Sequence, residues 1–174
     1  MAYLLHEDRD SRVEREDGLV KKIVYRANHS GLRRDVPSTE MVEREARALE
    51  MVADIPHVQR LVRRGDTPDS FYSEYIPGIH LAKYPEKLPE EFFDELQKSL
   101  RLCRRKGVYR LDRFLHAQRD ILVRPDLTPG IIDFGDVLFL DDPRARIPGM
   151  KSLLEVYGFV QVSHLRRTYQ YNPG

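Results

Sequence analysis

An aspartate stands directly after a short apolar run in the C-terminal half of the chain. The run is Ile131-Ile132, and Asp133-Phe134-Gly135 follows it. A second apolar run, Ile121-Leu122-Val123, lies upstream, and the segment 124–130 between them has the Pro, Asp and Gly residues that a tight connection requires. The pattern predicts a β-hairpin that delivers Asp133 to a cleft. A carboxylate in that position suits a metal-nucleotide site.

The composition sets the limits of what the chain can be. Its 174 residues are enough for one substantial domain, and 29 Lys and Arg against 28 Asp and Glu give no bulk field that favours nucleic acid or an anionic membrane. The single Cys103 excludes an internal disulfide. The early charged residues are not typical of a secretory signal, and no apolar stretch is long enough to cross a bilayer. We therefore expect a cytoplasmic protein.

Two strands are predicted near the N-terminus. They are Ser11 to Glu16 and Leu19 to Tyr25, joined through Asp17-Gly18, a strong hairpin signal. Side chains alternate along a strand, so Lys21 and Lys22 lie on opposite faces. One of them can point into a cleft while the other is solvated, and the sequence leaves open which.

A helix is predicted from Ser38 to Asp54, capped by Ser38. Its apolar stripe consists of Val42, Ala46, Leu49 and Ala53. Glu45 lies on or beside this stripe, where a carboxylate needs a cation. Either a strand lysine or a surface arginine such as Arg47 could supply it.

Four further elements are predicted along the chain. Residues 71–76 read as a strand closed by Pro77-Gly78, and residues 89–107 as a helix with an apolar stripe that includes Cys103. Residues 137–140 are predicted as a strand and residues 152–164 as a helix.

Taken in order, these features resemble the protein-kinase-like superfamily, and within it the small bacterial members of the RIO and lipopolysaccharide-kinase type. The resemblance covers residues 10–140. It implies an α+β class and a minimal bilobal protein-kinase-like fold, in which an antiparallel N-lobe sheet carries one helix and the helical C-lobe is reduced. Residues 1–174 would form a single domain, with residues 1–76 as N-lobe and 77–174 as C-lobe.

The resemblance also implies ATP and Mg²⁺ as cofactors and a role for each cleft residue. Lys21 or Lys22, fixed by Glu45, would hold the α- and β-phosphates. The main-chain groups of Glu74 and Ile76 would pair with the adenine edge.

The remaining roles in this scheme fall on carboxylates of the C-terminal half. Asp133 and Asp120 would hold magnesium, with Asp133 acting directly in catalysis. Asp112 would accept the proton of the substrate hydroxyl, and His116 in the same loop is the alternative base.

Three departures separate this chain from the superfamily pattern. It has no glycine-rich loop in its first strands, Asp120 stands where the superfamily has Asn, and Asp112 lies eight residues before Asp120 instead of five. The leading hypothesis is a phosphotransferase that moves the γ-phosphate of ATP to a hydroxyl of a protein Ser/Thr or of a lipopolysaccharide sugar. The alternatives are a degenerate nucleotide-binding pseudokinase or scaffold, and an RNA-associated module using Arg-rich surface. No basic strip with interleaved aromatic residues supports the RNA module.

Overall fold

A computed structural model describes residues 2–7, 11–25, 37–111 and 117–170 of the chain. The three α-helices of these ranges are α1 (Ser38–Met51), α2 (Glu90–Arg105) and α3 (Met150–Tyr169). The strands are β1 (Tyr3–Glu7), β2 (Ser11–Glu16), β3 (Leu19–Val24), β4 (Leu61–Arg64), β5 (Ser70–Glu74), β6 (Ile79–His80), β7 (Val108–Arg110), β8 (Ile121–Val123), β9 (Pro129–Ile131) and β10 (Val137–Phe139). The predicted α+β class is confirmed.

The largest sheet has five strands in the order β1-β2-β3-β5-β4, with every neighbouring pair antiparallel. The predicted hairpin between β2 and β3 is present, with Glu16 opposite Leu19 and a two-residue turn between them. Asp17 and Gly18 both have positive φ, at 50° and 82°. This is the turn geometry that matches the twist of a hairpin, and it explains why Asp-Gly stands here.

Helix α1 contacts β3, β4 and β5 of this sheet. Its buried face consists of Val42, Glu45, Ala46, Ala48 and Leu49. The helix ends at Met51 and not at Asp54, and Ala53 is exposed beyond it. Ser38 is the first helical residue and makes no capping hydrogen bond; the N–H groups of Glu40 and Met41 donate to the carbonyl of Pro37 instead.

A second group of elements surrounds α2. The predicted hairpin before Asp133 is present as β8 and β9, with Ile121 opposite Ile131, and β6 pairs with the other edge of β8. Strands β7 and β10 form a separate antiparallel pair. The predicted apolar stripe of α2 is buried, and its members are Phe92, Phe93, Leu96, Leu100 and Cys103. Helix α3 packs against α2 and is longer at both ends than the predicted 152–164.

The chain divides into two compact units. One contains residues 1–53, 59–75 and 133–136, and the other contains residues 54–58, 76–132 and 137–174. The prediction of one domain with lobes 1–76 and 77–174 stays a prediction. Among the helices that the structure describes, none has both the length and the apolar character needed to pass through a membrane.

The only cysteine of the chain is a sensitive probe of this fold. Cys103 is 1% exposed, and burial raises its pKa from 9.0 to about 11. Each pKa unit changes the thiolate fraction tenfold, so near pH 8 we expect thiol labelling of the folded protein to be slower than that of a free cysteine by about a hundredfold or more. Labelling should reach the rate of a free thiol only through the denaturant range in which the circular dichroism is lost. Rapid labelling in native buffer would contradict the described packing of α2.

The raised pKa also gives a sign for the effect of alkaline pH. The contribution of this thiol to stability is present below its ordinary pKa of 9.0 and is lost as the pH rises through about 11.

Candidate active site

Lys22 occupies the inner face of strand β3. Its neighbours on that face, Val20 and Val24, are buried, and the Lys22 side chain is only 15% exposed. The Lys22 ammonium donates to both carboxylate oxygens of Glu45, at 3.0 and 2.8 Å, and to Asp133 Oδ1 at 3.0 Å. One lysine is therefore held by two carboxylates that lie 23 and 111 residues away in the sequence.

Lys21 lies on the opposite face of the same strand. Its ammonium is 5.5 Å from the centre of the Tyr72 ring, and a hydrogen bond with Tyr72 raises the pKa of Lys21. The Arg63 guanidinium also stacks on this ring, at 3.7 Å. Of the two lysines that the sequence left open, only Lys22 contacts Glu45 and Asp133.

Glu45 is the buried carboxylate of the cluster, with 3% of its surface exposed. Besides Lys22, its Oε1 accepts the N–H of Phe134 at 3.2 Å. Burial raises the pKa of Glu45 to about 7, and the Lys22 charge opposes that shift. Burial also disfavours the charge on Lys22, but the carboxylates of Asp133 and Glu45 outweigh burial and raise the Lys22 pKa.

Asp133 lies in the loop that follows β9. Its backbone has a φ of 58°, in the left-handed region that aspartate tolerates better than most residues. Its Oδ1 also accepts the N–H of Gly135 at 3.0 Å, while Phe134 between them is fully buried. A Cβ at Gly135 would lie 3.2 Å from Asp133 Oδ1, so glycine leaves room for the carboxylate.

Asp133 is the accessible carboxylate of the cluster. The Lys22 ammonium bonds to two carboxylates, and the Asp133 side chain is 47% exposed. An accessible carboxylate oxygen suits Mg²⁺, which takes one or two protein carboxylates and completes its shell with water and phosphate oxygens. In the described ranges, no group of three or more His, Cys, Asp or Glu residues is placed to hold a metal by itself. The donor set thus fits a magnesium ion that arrives with a nucleotide.

Asp120, the second predicted magnesium ligand, lies in the other compact unit. Arg110 donates to its Oδ2 at 3.3 Å, and its backbone carbonyl accepts the N–H of Ile132 at 2.9 Å. The Arg110 side chain is 5% exposed and that of Asp120 is 23% exposed. Its role as a metal ligand stays a prediction.

The main-chain groups of Glu74, one of the two predicted adenine contacts, have partners of their own. The N–H of Glu74 donates to the carbonyl of Arg60 at 2.8 Å, and the carbonyl of Glu74 accepts the side-chain amide of Gln59 at 3.0 Å. The Glu74 N–H is thus already used and is not available as a donor for adenine. Ile76 is buried, in the other compact unit. Gln59 is buried, and no sequence pattern indicates it, because it stands as a single amide between Val58 and Arg60.

Asp112 and His116, the two candidate bases, lie outside the described residues. Their assignment stays a prediction.

Three cations at and after the C-terminal end of α2 form ion pairs. Arg104 bonds to Glu155 at 3.1 Å, and Lys106 pairs with Asp54. Arg110 pairs with Asp120 as described above. These pairs give no support to the RNA-associated alternative, because these three cations already face carboxylates.

Removing Glu45 should destabilise the protein strongly. In Glu45→Ala the buried ammonium of Lys22 loses its bidentate partner, and breaking a buried pair typically costs about 3–5 kcal/mol. Denaturant unfolding at pH 8, above the raised pKa of Glu45, measures this loss. The matched control is Glu43→Ala, on the same helix, because Glu43 pairs with Arg64 in solvent and should cost about 1 kcal/mol or less. Equal losses in the two variants would contradict the buried pair.

Solved structures of known proteins share this fold. No protein-family model matches the chain, and no curated protein does. Its structure matches the Rio2 kinase of Chaetomium thermophilum, solved as an ADP/Mg²⁺-phosphoaspartate complex, with a TM-score of 0.65 at 16% identity, over 99% of this chain and 57% of that one. The chain has a protein-kinase-like fold. It also matches WbdD bound to the kinase inhibitor LY294002, with a TM-score of 0.60 at 19% identity, over 93% of this chain and 37% of that one.

The kinase-like chain is thus considerably shorter than either solved structure, since it spans 57% and 37% of their lengths. The predicted kinase-like resemblance is confirmed at the level of the fold.

Proposed function

We propose that this kinase-like protein is an ATP- and magnesium-dependent phosphotransferase that moves the γ-phosphate to a hydroxyl group. The observation that carries the proposal is the cluster in which Lys22 is held by both Glu45 and Asp133. Phosphoryl transfer depends on positioned charge more than on covalent chemistry, and this cluster supplies a fixed cation and an accessible carboxylate.

Each residue of the cluster has a distinct task in this proposal. Glu45 holds the Lys22 ammonium at a fixed position, so that little entropy is lost when the ammonium exchanges its bond to Asp133 for one to a phosphate oxygen. Asp133, with Asp120, would supply the carboxylate oxygens that hold magnesium. A magnesium ion held there would neutralise part of the phosphate charge. Asp112, or His116 in its place, would take the proton from the acceptor hydroxyl.

The acceptor classes that we propose are a Ser or Thr hydroxyl of a protein and a sugar hydroxyl of lipopolysaccharide. The structural similarity to Rio2 kinase and WbdD supports a kinase-like phosphotransferase in general. At 16% and 19% sequence identity, neither protein favours one of the two acceptor classes.

A degenerate nucleotide-binding protein is the second candidate, and one observation favours it. The β2–β3 connection is a two-residue turn, Asp17-Gly18, so it offers few backbone N–H groups to cover phosphates. A scaffold of this kind would bind ATP and transfer nothing.

Incubation with γ-phosphate-labelled ATP and magnesium separates the two candidates. Purified protein is mixed in parallel with a bacterial protein extract and with purified lipopolysaccharide, and each fraction is counted for label. Label in either fraction that Asp133→Ala abolishes supports the phosphotransferase and identifies the acceptor class. ATP binding with no transfer to either acceptor supports the degenerate candidate.

A further inference from the structure

His57 has a left-handed backbone conformation outside the hairpins and the cluster. Among the described residues, four that are not glycine have a positive φ, and they are Asp17, His57, Leu127 and Asp133. Asp17 and Leu127 lie in hairpin turns, and Asp133 is the accessible carboxylate of the cluster. His57, with a φ of 67°, lies in the connection between α1 and β4, in a turn directly after Pro56. Such a turn favours glycine or asparagine at this position, because other side chains cost free energy at positive φ.

The His57 imidazole packs against α2. The side chain is only 16% exposed, and its Nε2 lies 3.4 Å from Glu95 Oε2. The other ring nitrogen, Nδ1, is buried and has no hydrogen-bond partner among the described residues. Glycine at this position would avoid both the strained backbone and the buried nitrogen. Backbone strain of this kind is concentrated at functional sites, and the carbonyl of His57 is bonded to the strand that leads to one.

The end of β9 is fixed by the carbonyl of His57. This carbonyl accepts the N–H of Ile131, the last residue of β9, at 2.7 Å. The next N–H, that of Ile132, donates to the carbonyl of Asp120 at 2.9 Å, just before β8. The last two N–H groups before Asp133 are therefore both bonded to backbone carbonyls. His57, Ile131 and Asp120 belong to the same compact unit.

The place of the Asp133 carboxylate depends on where β9 ends. Asp133 directly follows Ile132, and its φ of 58° is a conformation that persists only where the surroundings over-determine it. Its Oδ1 accepts both the N–H of Gly135 and the Lys22 ammonium at 3.0 Å. A misplacement of about 1 Å is enough to weaken a constellation of this kind. The bond from His57 to Ile131 therefore bears on the site through two covalently linked residues.

We propose that His57 is a positioning residue for Asp133. Its imidazole, placed against Glu95, keeps the turn in the left-handed conformation, and its carbonyl holds Ile131 two residues before the carboxylate. His57 acts through the backbone of β9 and not on the substrate. The proposal rests on the proposed phosphotransferase function only in that magnesium is the ion that Asp133 would hold.

Amide hydrogen exchange of the full chain without nucleotide, followed by NMR, tests this positioning directly. In His57→Gly the turn loses its anchor, so we expect the N–H groups of Phe134 and Gly135, which donate to carboxylates of the cluster, to exchange faster by about tenfold or more. The matched control is Leu127→Gly, which relaxes a φ of 60° in the turn between β8 and β9. In this control both N–H groups should exchange as in wild type.

Calorimetric titration supplies a readout that a purely structural role would not change. We expect His57→Gly to raise the magnesium concentration that half-saturates ATP binding by about tenfold, and to leave ATP affinity without magnesium close to that of wild type. His57→Gln keeps an N–H that can reach Glu95, so it should restore most of the magnesium response. Both glycine variants should melt close to wild type, because relief of backbone strain offsets the added freedom of the unfolded chain.

Three results would overturn the proposal. One is unchanged exchange of Phe134 and Gly135 in His57→Gly, and another is equally accelerated exchange in Leu127→Gly. The third is a lowered melting temperature of His57→Gly with equal losses of ATP affinity in the presence and absence of magnesium, which would make His57 a structural residue only. A wild-type chain that binds no ATP would contradict the phosphotransferase proposal alone, since hydrogen exchange without nucleotide still decides whether His57 positions Asp133.

Discussion

Replacing Lys22 with methionine should weaken ATP binding in the presence of magnesium by about thirtyfold or more, which corresponds to about 2 kcal/mol. Methionine keeps the length of the side chain and removes its charge. The ammonium pairs with both Glu45 and Asp133. Without it, phosphate oxygens would approach two carboxylates that have lost the ammonium between them. Isothermal titration calorimetry measures the change in affinity.

Lys21→Met is the matched control for this variant. Lys21 is the adjacent residue of β3, but it faces Tyr72 and makes a contact typically worth about 0.5–1 kcal/mol at exposed sites. Its loss should leave ATP affinity close to that of wild type. Similar affinities for Lys22→Met and Lys21→Met would mean that the cluster does not bind phosphate. Thermal melting of both variants establishes that the comparison is made between folded proteins.

Asp133→Asn should remove the magnesium dependence of ATP binding. Asparagine keeps an oxygen that can accept the N–H of Gly135, but it loses the negative charge that makes Asp133 a good ligand for a hard cation. We expect magnesium to strengthen ATP binding by wild type by about tenfold or more, and to have little effect on the variant. Phosphate transfer by the variant should fall by about a hundredfold or more. Titration with and without magnesium measures the first effect, and labelled ATP measures the second.

Asp126→Asn controls for the loss of one negative charge. Asp126 is exposed in the turn between β8 and β9, where its Oδ1 accepts the N–H of Thr128 at 3.1 Å. Asparagine can keep that hydrogen bond, so the turn should persist and the magnesium dependence should match that of wild type. A magnesium response that survives in Asp133→Asn would place the metal elsewhere.

The parts of the fold that the sequence predicted are those with short-range signals. Asp17-Gly18 specifies a tight hairpin, and the spacing of Phe92, Leu96 and Leu100 specifies the buried face of α2. The hairpin of β8 and β9 was predicted from two apolar runs and the turn residues between them. Each of these signals acts over a few neighbouring residues, and each predicted element is present in the folded protein.

The parts that the sequence could not predict depend on contacts between distant residues. Alternation placed Lys21 and Lys22 on opposite faces, but only the packing of α1 against the sheet decides which face is inward. The pairing of β7 with β10 joins segments about thirty residues apart, and the three residues Val108–Arg110 are too few to show the alternation that indicates a strand. Gln59 has its place because its amide reaches the Glu74 carbonyl, which no local pattern indicates.

The measurement that bears most directly on the site is a calorimetric titration of the wild-type chain with ATP, with and without magnesium. If Lys22, Glu45 and Asp133 form a nucleotide site, ATP should bind at one site per chain, and magnesium should strengthen that binding. The absence of heat and of binding up to millimolar ATP, with magnesium present, would contradict the nucleotide site and leave a kinase-like fold with another use.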